Sequence, residues 1–286
     1  MDTISKWKTF RIRNHKSILA GSAPDRMIPF NGMPVFATLS ERSKRELFKG
    51  YLIMNAEAFL WLEQLLLLSF RRYLRASLEP STQIELKKLL REEFYHTKAF
   101  RDFLRTEKEL EWKNNSYMIF NRKHFRNTLA WLFKKFPLAL SLPGAKLESY
   151  SIYYAQELKE IYGSWEANSL TALHKFHVED ELTHVPFQFD FYNEIFYKGI
   201  GGTRAGIFFA TSFFFLIMQY AQMSSGHLMM RRAFPDKSGF YRFGKVLQFW
   251  LWVVFHTAPY KKSRRRTSEL FRTKKPVLRR AFWFLH

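Results

Sequence analysis

Four long stretches of this chain have the pattern of apolar and polar positions that is typical of α-helices. The first has no proline and only Gly50 to interrupt it, and Ser81, which follows Pro80, is the predicted N-cap of the second. Gly163 marks the turn between the third and the fourth, and Pro186 is expected to end the fourth. The predicted bounds are 40–76, 81–111, 145–162 and 164–185.

The connections between these helices indicate the fold. Residues 1–40 hold most of the early turn formers and are predicted to be an irregular N-terminal segment, and residues 112–144 form a longer connection with some helix. Two helical hairpins joined by a crossover have the connectivity of ferritin-like bundles. We therefore expect an all-α protein, with a ferritin-like four-helix bundle over residues 41–198 and a hydrophobic and basic helical extension over residues 199–286.

Two stretches of the extension carry no charged residue. The first, between Arg204 and Arg231, is just long enough to span a membrane, but its polar residues leave two interpretations equally open: a buried core helix, or a helix in or on a membrane. The second, from Val246 to Tyr260, is too short to span a bilayer and favours burial at a membrane interface. Neither stretch alone establishes membrane attachment.

The composition limits the chemistry that the chain can perform. The 286 residues include no cysteine, which excludes disulfides, cysteine-bound zinc and iron–sulfur clusters, and leaves carboxylate, imidazole and water as metal ligands. The residues from Met1 to Arg13 do not resemble a secretory signal. A cytoplasmic location is therefore expected, with attachment to the inner face of the cell membrane left open.

The net charge of +21 raises the question of an anionic partner. Much of the excess lies between Lys261 and Arg280, where ten basic residues accompany one acid, Glu269, and aromatic residues follow at 282–284. A basic run that ends in bulky apolar residues suits an anionic membrane surface. Because the chain has no nucleic-acid-binding motif, no nucleic-acid partner is expected.

Two of the predicted helices carry residues at the spacing of metal ligands. Glu93 and His96, and likewise Glu181 and His184, form E-x-x-H motifs that place both side chains on one face of a helix. Two such motifs, with one further glutamate from each of two other helices, make the ligand set of a carboxylate-bridged di-metal site. His177, one turn before Glu181, is either a third ligand from that helix or an outer histidine bonded to a ligand carboxylate.

The other two glutamates follow from the positions of the turns. Glu148 and Glu181 lie at similar distances from the turn that joins their helices, so they are expected at the same level of the bundle. In the other hairpin, Glu63 would be displaced from the level of Glu93 by roughly 6 Å and Glu57 by roughly 15 Å. Glu63 is therefore preferred, with Glu57 in reserve. The predicted metal ligands are Glu63, Glu93, His96, Glu148, His177, Glu181 and His184.

Two families have a similar arrangement of residues. The helix with His177, Glu181 and His184 resembles that of the p-aminobenzoate N-oxygenase-like diiron enzymes, in which an added histidine joins two E-x-x-H motifs. The residues around Glu63, the sequence Leu147-Glu148-Ser149-Tyr150 and the block 177–192 are more closely similar to a bacterial family of predicted metal-dependent hydrolases. These resemblances, over residues 35–225, imply a ferritin-like fold with two metal ions. The neighbours of the last histidine, including Thr183, depart from the charged residues usual there.

A non-haem diiron oxygenase is the first functional prediction, because four carboxylates and two or three imidazoles suit two iron ions. It would hydroxylate or N-oxygenate a small-molecule or lipid-like substrate with O2. Its electrons would come from an external donor, a ferredoxin or a reductase, since the chain has no flavin or iron–sulfur motif. The alternatives are a di-metal hydrolase in which zinc or manganese activates a water, and a non-catalytic ferritin-like iron-binding protein.

Overall fold

The computed structural model describes residues 3–20, 29–30, 32–112, 123–200 and 202–274, and every regular element in these residues is helical. The expectation of an all-α protein is therefore confirmed for the described part of the chain. The helices are α1 (Thr3–Thr9), α2 (Pro34–Ala37), α3 (Glu41–Phe70), α4 (Pro80–Thr106), α5 (Lys123–Lys135), α6 (Ser141–Tyr162), α7 (Ser169–Tyr197), α8 (Arg204–Ala233), α9 (Gly239–His256) and α10 (Ala258–Thr273).

Four long helices surround the interior of the protein. α3 packs against α4 and α6 packs against α7, each pair joined by a short connection, and the two pairs meet where α4 contacts α7 and α3 contacts α6. Each helix contributes large apolar side chains that are fully buried, such as Leu66, Phe100, Ile152 and Phe189. Burial of these side chains drives the helices together. It also removes from water any polar side chain that points the same way.

Two helix boundaries differ from the sequence-based predictions. α4 begins at Pro80, with Glu79 at the N-cap, so the prediction of Ser81 as N-cap is wrong. Proline suits the first helical position, where an N–H would have no partner within the helix. α7 continues through Pro186, where an end was predicted. That proline lacks the N–H that would bond to the carbonyl of Leu182, so the helix continues with one of its hydrogen bonds missing.

The N-terminal segment is more regular than its sequence indicates. It was predicted to be irregular, but its described part contains α1 and α2, and α1 lies against α4 and α7. A helix as short as α1 is not stable alone, so the contacts of residues such as the buried Trp7 hold it in place. Gly21 and Pro24, two of the turn formers behind the prediction, lie outside the described residues.

The C-terminal helices pack on the outside of the four long helices. α8 contacts α3, α9 contacts α8, and α10 lies along α6. The basic stretch from Lys261 to Arg272 belongs to α10, which buries Phe271 against the core. The predicted basic tail beyond residue 274, with its aromatic residues at 282–284, lies outside the described residues.

Two helices of the described chain are long and apolar enough to cross a membrane by length and composition, Glu41–Arg75 and Arg204–Ala233. The most apolar window of the first is 72% buried inside the protein, as in a core helix, whereas that of the second is 33% buried. These helices give weak support to a membrane location, because core helices of soluble proteins have the same properties.

Candidate metal centre

The seven predicted ligands lie together on the inner faces of the four long helices. None exposes more than 3% of its surface. They are Glu63 from α3, Glu93 and His96 from α4, Glu148 from α6, and His177, Glu181 and His184 from α7. Carboxylates so far from water are costly unless they are paired or bind a cation.

Six of these side chains form two groups that could hold a metal ion. Within each group, one ligand atom from every residue lies within 4.8 Å of the others. The first group is Glu63, His96, His177 and Glu181, and the second is Glu93, His96, Glu181 and His184. The groups therefore overlap, and the two residues that they share are one glutamate and one histidine.

Glu181 lies at the centre of the six. Its Oε1 atom is 3.1 Å from Nε2 of His177, 3.4 Å from Nδ1 of His96 and 3.6 Å from Nδ1 of His184. One carboxylate oxygen thus faces three imidazoles from two helices. Burial on its own raises the pKa of Glu181, but the neighbouring His177 and His184 outweigh it and hold that pKa well below its usual range.

Several ligand atoms are fully buried and have no hydrogen-bond partner among the described residues. Both carboxylate oxygens of Glu93 and of Glu181 are in this state, and so are Oε2 of Glu63 and Nδ1 of His96 and His184. Buried polar atoms are nearly always hydrogen-bonded, because an unmade bond leaves the cost of desolvation uncompensated. Atoms in this condition that all face one another fit a site for metal ions.

Two carboxylates that were not predicted bind the outer nitrogens of the imidazoles. Asp180 of α7 lies 3.0 Å from Nε2 of His96 in α4, and Glu92 of α4 lies 2.9 Å from Nε2 of His184 in α7. Each helix thus supplies the outer partner for the histidine of the other. Such bonds fix the tautomer and the orientation of a ligating histidine.

A signal for these outer partners is present in the sequence. Glu92 immediately precedes Glu93, and Asp180 immediately precedes Glu181, so both motifs read acid-Glu-x-x-His. Neighbouring residues on a helix point about 100° apart, so the first acid cannot join the second at the same ion. It can reach the far side of a histidine on an adjacent helix, as observed here.

The N-terminal helix α1 contacts Asp180, one of the two carboxylates that bond to the outer nitrogens of the imidazoles. Trp7 donates a hydrogen bond of 2.6 Å from its indole nitrogen to Oδ2 of Asp180, and the ammonium of Lys6 lies 2.9 Å from Oδ1 of the same residue. The ring of Trp7 also packs against the ring of His96, with 5.0 Å between their centroids. α1 therefore holds the carboxylate that orients His96.

The pKa values of this pair follow from their contacts. Burial on its own lowers the pKa of His96, but the hydrogen bond to Asp180 and the nearby carboxylate of Glu93 outweigh it and raise that pKa to about 9. Burial on its own raises the pKa of Asp180, but the hydrogen bonds with His96 and Trp7 and the nearby ammonium of Lys6 lower it to about 2. At neutral pH, Asp180 is therefore an anion that accepts two hydrogen bonds and forms one ion pair.

The structure distinguishes the surroundings of Glu63 and Glu57. Glu63 has one carboxylate oxygen 3.2 Å from His177 and the other 3.8 Å from His96, so it lies within the cluster. Glu57 accepts a hydrogen bond of 2.7 Å from the indole nitrogen of Trp112 and belongs to neither group. The preference for Glu63 agrees with this arrangement, whereas the role of each as a metal ligand stays a prediction.

Glu148 lies beside the two groups and is a member of neither. The amide nitrogen of Gln188 donates to both of its carboxylate oxygens, at 2.5 and 2.6 Å. Burial raises the pKa of Glu148 well above its usual range, and the nearby carboxylates of Glu181 and Glu93 raise it further. Its assignment as a ligand stays a prediction, and so does the choice between the two roles of His177.

No family model, curated protein or solved structure matches this chain. The resemblances to the predicted metal-dependent hydrolases and to the N-oxygenases therefore stay expectations from individual residues. The geometry of the buried glutamates and histidines is the basis for assigning a function.

Proposed function

We propose that the protein is a non-haem diiron oxygenase with a ferritin-like four-helix bundle. The observation that carries this proposal is the overlap of the two ligand groups, which share Glu181 and His96. A glutamate common to two metal positions is the feature that defines a carboxylate-bridged di-metal site. The contacts between two helical hairpins, each with one E-x-x-H helix, support the ferritin-like assignment.

The donor atoms of the cluster suit two divalent ions. Four glutamates would balance the charge of two such cations, and carboxylate and imidazole ligands are those that iron, zinc and manganese accept. Reduced iron, when bound, supplies the electrons and open coordination positions for the activation of dioxygen. Repeated turnover needs further electrons, which we assign to an external ferredoxin or reductase because the chain has no motif for a flavin or an iron–sulfur cluster.

Aromatic side chains would exclude water from the metal site. Phe59 and Phe100 pack edge-on against the ring of His177, with centroid distances of 5.5 and 5.1 Å, and Trp7 packs on His96. These rings hold the imidazoles in fixed orientations. By excluding water, they also strengthen the electrostatic interactions within the site and protect a reactive centre from side reactions.

The oxygen reaction tests the proposal. When the metal-free protein is given two equivalents of ferrous iron without oxygen and is then exposed to O2, we expect rapid oxygen uptake and new absorption in the visible range. The changes should be absent in a His184→Ala variant and present in a His256→Ala variant, because His256 is an exposed histidine of α9, outside both groups. Oxygen electrode traces and stopped-flow absorption measure both effects.

Two results would contradict the proposal that the protein is an oxygenase. Purified protein that retains two zinc ions, with no oxygen uptake after it is reconstituted with iron, would favour the metal-dependent hydrolase. Stoichiometric iron oxidation with no dependence on any reductant or substrate would favour a ferritin-like iron-binding protein. Metal analysis of the protein as purified and product analysis after repeated reduction separate these outcomes.

Membrane attachment is a further part of the proposal, motivated by exposed apolar side chains on α8 and α9. Phe240 is 88% exposed and Leu216 is 69% exposed, and α10, which contacts α9, is strongly basic. We expect the full chain to sediment with vesicles that contain anionic lipid and to be released by high salt. A variant with Phe240→Ser and Leu216→Ser should bind less, whereas Tyr197→Ser, at another exposed aromatic, should not. A protein that binds no vesicles would contradict this location.

A further inference from the structure

A pocket separates the four long helices from the C-terminal helices. Its volume is about 230 Å³, and it lies between α3 and α6 on one side and α8, α9 and α10 on the other. Most of its lining is apolar and includes Phe214, Met218 and Val253. An apolar pocket with a few polar groups is the usual form of a binding site for a small molecule.

Lys146 is the one lysine in the wall of this pocket. Among the residues that the structure describes, no carboxylate lies within ion-pair distance of its ammonium, which instead lies 5.8 Å from the centroid of the Tyr260 ring. Burial and, to a smaller extent, the nearby cation of Arg264 lower the pKa of Lys146 to about 8. The pocket therefore contains a half-buried cation without an anion to balance it.

A buried hydrogen-bond donor also belongs to the wall of this pocket. The indole nitrogen of Trp250 is buried and has no hydrogen-bond partner among the described residues, and its side chain lines the cavity. An indole N–H and an ammonium can only donate hydrogen bonds. Each of these two donors therefore needs a hydrogen-bond acceptor, and most of the pocket wall is apolar.

We propose that this pocket binds a medium-chain carboxylate, with the carboxylate at Lys146 and the alkyl chain along the apolar wall. One ammonium balances one negative charge, which favours a singly charged head group. The cavity volume of about 230 Å³ lies just below the roughly 300 Å³ at which pockets for drug-sized ligands begin, so a short or medium chain fits better than a long one.

The position of the pocket connects it to the candidate metal centre. Phe59 lines the pocket and also packs on His177, and Leu62 in the wall is the residue before Glu63. A bound acid would therefore lie one layer of side chains from the cluster. If the proposed function is correct, we infer that such an acid is the substrate, and this last step alone rests on that function.

Calorimetric titration of the full chain with octanoate tests the proposal. Octanoate should bind, whereas octan-1-ol and octylammonium should bind more weakly, because neither carries an anion. Lys146→Met should weaken octanoate binding by roughly tenfold to a hundredfold, the worth of a hydrogen bond to a charged group. The matched control is Lys87→Met, at an exposed lysine of α4, which should leave the affinity unchanged.

A second variant tests the apolar wall. Ala58 lines the pocket, so Ala58→Leu should reduce its volume and weaken binding of octanoate in a protein whose circular dichroism is that of the wild type. The proposal is overturned if octanol binds as tightly as octanoate, or if Lys146→Met binds octanoate with the affinity of the wild type.

The titration also separates this proposal from the metal proposal, because it is performed on iron-loaded and on chelator-treated protein. Octanoate binding that depends on Lys146 in a protein that takes up no metal would support the pocket and contradict the diiron function. Iron uptake and oxygen reactivity in a protein that does not bind octanoate would contradict the pocket alone.

Discussion

Replacing Glu181 with alanine should leave the protein unable to hold either metal ion. This carboxylate belongs to both ligand groups and lies 3.1 to 3.6 Å from three imidazoles, so its loss opens both positions together. The decrease in affinity should exceed the roughly 100-fold effect that loss of an outer partner can cause. Elemental analysis after dialysis against iron or zinc should find no retained metal in Glu181→Ala.

The matched control is Glu160→Ala, which removes an exposed glutamate of α6. This variant should retain as much metal as the wild type. Helical circular dichroism well below the unfolding temperature should be the same in all three proteins, because the four long helices are held together by buried apolar side chains that neither substitution changes. If Glu181→Ala retains two ions, Glu181 does not bridge them, and the proposed carboxylate-bridged site is wrong.

Replacing Asp180 with asparagine should weaken metal binding without removing a ligand from either group. Asp180 accepts hydrogen bonds from His96 and Trp7 and pairs with Lys6, and asparagine keeps its size but loses its charge. Because outer partners set the orientation and basicity of a ligating histidine, we expect a roughly 10- to 100-fold lower affinity. Competition with a chromophoric chelator measures this change.

A spectroscopic readout distinguishes positioning from a general loss of stability. The visible spectrum of the cobalt-substituted protein should shift in Asp180→Asn, since the environment of the metal changes when His96 is held differently. Asp190→Asn makes the same substitution on the same helix at an exposed residue that pairs with Lys274, and it should change neither affinity nor spectrum. An Asp180→Asn protein with the affinity and spectrum of the wild type would contradict the role of Asp180.

The helical class and the four long helices could be predicted because their signals are local. Apolar periodicity and the turns at Pro80 and Gly163 depend on residues close in the chain, and the heights of Glu63 and Glu93 follow from counting along two helices. The end predicted at Pro186 was wrong because α7 is packed into the core on both sides of it, through the fully buried Val185 and Phe189, and such packing can override a local helix breaker.

The residues that contact the imidazoles from outside the two ligand groups could not be predicted in the same way. The role of Trp7 depends on a contact with Asp180, a residue 173 positions away along the chain, and no local pattern reports it. Glu92 and Asp180 were visible as acids before each E-x-x-H motif, but the histidine that each one bonds depends on which helices are neighbours. Both sets of contacts depend on the tertiary arrangement of the helices.

The exchange of partners between α4 and α7 has a consequence for assembly. The α3–α4 hairpin holds His96 without Asp180, and the α6–α7 hairpin holds His184 without Glu92, so neither hairpin alone contains an oriented imidazole. High affinity for metal is therefore a property of the docked pair. The metal ions should therefore bind at the last stage of folding, after the two hairpins have docked. An isolated hairpin should bind metal weakly even if it is helical.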